Sequence, residues 1–106
     1  EGIVSGGGVA LLNAAQNIEA KNEGEVILLR SIKWPYATIL ENAGIPYIEP
    51  EQKGFGVDVT TGDVFSMMKS GIIDPLLVTK TALINAVSVV NTIISADCVI
   101  SNVREV

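Results

Sequence analysis

The sequence contains no histidine, one cysteine and no run of basic residues in its 106 positions. Without histidine, neither imidazole acid–base chemistry nor histidine metal ligation is open to the chain. The lone Cys98 excludes an internal disulfide framework and a CxxC site, and its apolar setting reads as a small buried hydrophobe. Seven Lys and Arg are scattered singly among 12 Asp and Glu, for a net charge of −5. With a pI near 4.5, a phosphate-tracking nucleic-acid surface is not expected. The longest apolar stretch, residues 82–100, is broken by Asn85, Ser88, Asn91 and Asp97, which makes it a poor membrane span. No basic n-region opens the chain, so a secretory signal is not expected, and the cytoplasm is the expected compartment. No initiator methionine is present either, and the opening residues have the character of a domain interior. A piece of a longer protein is therefore expected.

What is abundant is apolar: 48% of residues are hydrophobic and 18% charged, with a mean hydropathy of +0.43. One domain at most is expected at this length. The apolar surplus calls either for an unusually large core or for a surface that faces something else. The stretch "EGIVSGGGVALL" sets Gly6, Gly7 and Gly8 directly before an apolar run. Each glycine costs about 0.5–1 kcal/mol in a regular element, so a triplet needs a reason. A tight turn into a helix is one, and a ligand that must approach the backbone closely is another. The stretch fits neither the GxGxxG nor the Gly-Lys-Ser/Thr phosphate template.

Periodicity predicts a helix over residues 7–20, with Leu11, Leu12, Ala15 and Ile18 on one face. "KNEGE" interrupts it, "VILLRSI" resumes, and Pro35 ends or kinks that piece. "YATILENAG" makes a third helix closed by Gly44. "FGVDV" alternates as a strand that turns at "TTGD" into a small hairpin. "VFSMMKSG" reads as one or two helical turns ended by Gly71, with Met67 and Met68 as packing filler. The clearest helix signal is "DPLLVTKTALINAVSVVNTII", with Asp74 as N-cap and Pro75 as first helical residue. Thr81, Asn85, Ser88 and Asn91 draw one polar stripe on it. The wide apolar remainder implies burial on most sides. After a break at "SAD", "CVISNV" is expected as an edge strand. The fold class is thus mainly α, a helical bundle with one or two short β strands.

Read together, "EGIVSGGGVALL", "GFGVDVTTGD" and "SGIIDPLLVTKTALINAVSVV" occur in an order that resembles the C-terminal part of a group I chaperonin, the GroEL family. There the corresponding pieces read EGxVxGGGVAL, YGYNA or GYDA, and MGIIDPTKVxRxALxNAASVA. "NAG" before the middle piece and "ADCVISNV" after the last also match, so the resemblance spans nearly the whole chain. It implies the second half of the equatorial domain, a mostly helical ATP-binding domain that builds ring contacts. It implies that Gly6 and Gly7 lie against the nucleotide, with the Gly7 backbone at the ribose. Asp58 would stand beside the adenine, followed by Val59 and Thr60 at the base edge, and Asp74 would accept the ribose hydroxyls. An ionised aspartate suits vicinal hydroxyls, and glycine permits close approach. From the residues alone, Asp74 is equally well an N-cap without a ligand and Asp58 a solvated turn residue.

The chain departs from the family in three ways. The segment between Asn42 and Phe55 is shorter and carries two prolines, so the usual helix cannot form there. Val59 and Thr60 replace a small Ala-Ala or Ala-Met pair and add bulk beside the base. The family's phosphate-binding Gly-Asp-Gly-Thr-Thr segment, magnesium ligand and catalytic aspartate have no counterpart here. On this reading the parent is a protein-folding ATPase using ATP with Mg and K ions, and this piece alone is inactive. No catalytic and no metal-binding residue is expected in it. Other subunits of a ring, a co-chaperonin and unfolded clients would be the parent's partners, and self-association is expected for the piece. A bacterial cytoplasm, or the matrix or stroma of an organelle descended from bacteria, fits equally. The alternative is a small helical interaction or oligomerisation module that binds no nucleotide. A free-standing enzyme is poorly supported, because there is no nucleophile–base pair.

Overall fold

The computed structural model describes residues 2–104, with side chains described through residue 96. The described chain is mixed α/β and about 55% helical. It divides into two units, Ile3–Asp74 and Pro75–Val106 with Glu1–Gly2. Among the described residues, four strands form two small sheets, more than the one or two strands expected.

In the first unit, β1 (Ile3–Ser5) leads through the glycine triplet into α1 (Val9–Asn17). The helix is shorter than the expected 7–20, because Gly8 at its N-cap is left-handed (φ 80°) and Ile18 at its C-cap is extended. Asn22 then caps α2 (Glu23–Ser31), its side chain accepting from the Glu25 N–H. Pro35 lies in the first turn of α3 (Trp34–Asn42), where a missing N–H costs nothing. Gly44, at φ 72°, closes that helix as expected. The Ile45 N–H reaches Leu40 C=O and the Gly44 N–H reaches Glu41 C=O, so the last carbonyls are satisfied.

Residues 43–54 hold no helix. The expected hairpin follows as β2 (Phe55–Asp58) and β3 (Asp63–Ser66), antiparallel with Val57 opposite Val64 and Asp58 opposite Asp63. "VFS" thus belongs to a strand, and only α4 (Met67–Ser70) is helical, closed by Gly71. The core gathers Val9 and Leu12 from α1, Tyr36 and Leu40 from α3, Val57 from β2 and Met67 from α4. Ile45 and Ile72 pack against it. Burying one such large side chain contributes about 1.5–3 kcal/mol. Of the two methionines, Met67 is the filler and Met68 is exposed.

Two expectations fail at the end of the chain. Asp74 is not a helix cap, because it sits inside β4 (Ile73–Pro75), which pairs with β1. The helix begins one residue after Pro75, as α5 (Leu76–Arg104), and runs through both "SAD" and "CVISNV" without a break. No glycine or proline stands there to stop it, so a continuing helix keeps the backbone hydrogen bonds that a new strand would have to find anew. The edge strand is therefore absent. The side chain of Cys98 lies outside the described residues. The burial expected of this helix is also absent in the described part: Leu77, Val78, Ile84, Val89, Ile93 and Ile94 are each more than half exposed. By length and composition, Leu76–Ala96 could cross a bilayer, with mean hydropathy 1.5 over 21 residues. This window ends before Asp97, one of the breaks that counted against residues 82–100.

Candidate functional site

All six candidate residues fall in the unit Ile3–Asp74. Three segments carry them: the triplet before α1, the turn between β2 and β3, and β4.

The triplet is shaped first by its own protein. The Gly6 N–H donates to Ile72 C=O at 2.9 Å. A Cβ on Gly6 would stand 3.1 Å from the Ile72 carbonyl carbon and the Ile73 nitrogen. A Cβ on Gly8 would stand 2.6 Å from the Tyr36 nitrogen, closer than atoms can approach. Gly7 differs: its φ is +67°, and a Cβ there would meet only the Met67 Cε at 3.5 Å and the Ile72 Cγ2 at 3.7 Å. Helix and strand packing thus account for Gly6 and Gly8, and left-handed backbone accounts for Gly7.

The Gly6–Ile72 bond and the pairing of β1 with β4 bring the triplet beside the segment that carries Asp74. Asp74 itself is exposed. Two of the three segments are therefore neighbours.

The base of the hairpin approaches the same region. A Cβ on Gly56 would collide with the Val9 Cγ2 and the Met67 Cε, and Gly54 lies near the Ser5 hydroxyl. The hairpin's far end is turned in on itself. Asp58 Oδ1 accepts from the Thr60 N–H at 3.0 Å and from the Thr60 hydroxyl at 2.6 Å. The Asp58 carbonyl accepts from the Gly62 N–H at 2.7 Å. These bonds to Thr60, the hydroxyl first, hold the Asp58 carboxyl below its ordinary value. Asp58 is thus a turn-forming residue, the solvated-turn role that its local sequence allows. Val59 and Thr60 are exposed at the tip.

The sequence reading missed Asn13. It is buried, and its side chain ties α1 to the chain that opens the hairpin: the Gly54 N–H donates to Asn13 Oδ1 at 2.9 Å. Nothing local marks it, because its partner lies 41 residues away. An open groove of about 290 Å³ lies between α1 and α2, lined by Ala15, Ile18, Ala20, Val26, Leu29, Arg30 and Lys33. It includes none of the six candidates. Among the described residues, no group of three or more His, Cys, Asp or Glu gathers to hold a metal. No family model matches the chain.

Proposed function

We propose that this chain is the nucleoside-binding portion of a group I chaperonin equatorial domain, contributing the adenine and ribose side of an ATP site. The observation that carries the reading is the Gly6–Ile72 hydrogen bond, which sets the glycine triplet beside the Asp74 segment. Two motifs 60-odd residues apart in sequence then share one neighbourhood, and the left-handed Gly7 leaves its backbone without a Cβ there. Asp74 is exposed and suited to accept ribose hydroxyls, and the Val59–Thr60 turn would serve the base. Phosphate, Mg and K would be held by residues of the parent protein that have no counterpart in this sequence. The parent assists protein folding, and its ring partners and clients follow from the same reading.

Adenosine alone should bind weakly. One charge-assisted hydrogen bond contributes roughly 1.5–3 kcal/mol, while a micromolar site needs roughly 8 kcal/mol. Titrating the ¹⁵N-labelled chain with adenosine should move the amides of Gly6–Gly8, Val59–Thr60 and Ile73–Asp74 together, with a Kd of about 1 mM or weaker. Unmoved amides in these segments, or shifts confined to other residues, would overturn the reading.

A second reading has one observation in its favour. The apolar exposure of α5 suits a helical module that works by association and binds no nucleotide. Under either reading the chain self-associates through that helix.

A further inference from the structure

We infer that Asn13 is a positioning residue that fixes how the hairpin carrying the Val59–Thr60 turn stands on α1, the helix that follows the glycine triplet, and so governs recognition of the base. The inference rests on the nucleoside reading above.

Asn13 is the one buried amide side chain among the described residues, at 7% exposure. A buried amide is costly unless it is bonded, and both ends of this one are used. Its Oδ1 accepts from the Gly54 N–H at 2.9 Å, and its Nδ2 donates to Gln16 Oε1 at 3.1 Å. Gln16 Nε2 in turn donates to Pro50 C=O at 3.0 Å. The Gly54 carbonyl accepts from the Met67 N–H at 2.9 Å, so Gly54 is gripped from both sides. Gly54 immediately precedes β2, whose four residues end at Asp58. Holding Gly54 fixes one end of this short paired strand, and Val57 in the core fixes its middle, so the two together set where residues 58–60 stand. Asn13 lies on the same helix that Gly8 caps. One amide therefore joins the rigid element that begins at the triplet to the hairpin that carries the base-side turn. Asp74 is held beside the triplet directly, through the Gly6–Ile72 bond and the β1–β4 pair, in neither of which Asn13 takes part.

The test compares adenosine with free ribose on ¹⁵N-labelled wild type, Asn13→Leu, Asn13→Asp and Gln16→Leu. In wild type, adenosine should move both Val59–Thr60 and Ile73–Asp74, and ribose only the latter. Asn13→Leu should lose the Val59–Thr60 response several-fold while keeping that of Ile73–Asp74. Asn13→Asp, which keeps the acceptor for Gly54, should restore it. Gln16→Leu leaves the Gly54 bond intact and should respond as wild type. If Asn13→Leu does not fold, Asn13→Ser, too short to reach Gly54, carries the same expectation. A wild-type response at both segments in the Leu or Ser variant overturns the inference. So does an equal loss at both segments, or a failure of Asp to rescue. No adenosine response in wild type removes the nucleoside reading and this inference together, a result distinct from the others.

Discussion

Tyr36 shows how much one residue can concentrate. It is 1% exposed, its hydroxyl donates to Ile48 C=O, and its ring meets Tyr47 edge-on at 5.9 Å. Burial first, then the nearby Tyr47 and Glu49, push its hydroxyl from 10.0 up to about 12. The folded state therefore holds a proton that the unfolded chain releases at lower pH. The stability this contributes is intact below pH 10.0 and is lost as the pH rises through about 12. Alkaline titration followed by circular dichroism should show structure lost across that window. Tyr36→Phe should lose less there, yet be less stable at neutral pH by about 1 kcal/mol for the missing bond to Ile48. Coincident alkaline curves for the two proteins would contradict this. The same residue shows why part of the site was illegible from sequence. That Gly6–Gly8 needed a reason was visible. That Gly8 is required by the backbone of Tyr36 was not, because the clash exists only once α3 crosses it. Asn13 looked like an ordinary polar helix residue for the same reason.

At the scale of elements, local chemistry was readable wherever both partners lie within a few residues. Gly44 closing α3 and the turn from Asp58 to Gly62 both belong to that class. "KNEGE" was read as a mere interruption, but Asn22 and Glu25 form a reciprocal cap. The Glu25 N–H donates to Asn22 Oδ1, and Asn22 Nδ2 donates to Glu25 Oε2, each at 2.9 Å. No side chain of α2 is buried, so the helix leans on that cap more than a packed helix would. Asn22→Ala should cost about 1 kcal/mol in chemical denaturation, with amide exchange faster across Glu23–Ser31. Unchanged exchange would remove the cap's importance. The readings failed where a segment's own signal met a stronger one from outside it. Asp-Pro is a good helix start, yet pairing with β1 draws Asp74 and Pro75 into β4. The β-branched "CVISNV" suggests a strand, yet the helix already running into it prevails.

At the scale of the whole molecule, much of the apolar surplus in the composition reappears as surface among the described residues. Ile84 and Ile93 of α5 are 61% and 60% exposed. Such a face promotes association. Light scattering at micromolar concentration should show species larger than a monomer, and the double substitution Ile84→Glu, Ile93→Glu should shift them toward monomer. A strictly monomeric wild type would refute this, and co-flotation of the chain with lipid vesicles would redirect it toward a bilayer. The core itself carries a separate implication for biosynthesis. Its six members are drawn from Val9 through Met67, and Ile72 seals it. A ribosome delivering this chain from the amino end exposes Val9 and Leu12 long before Met67 can cover them. Closure must wait until Met67 and Ile72 have emerged, and until then those two side chains depend on whatever the cell supplies to shield them.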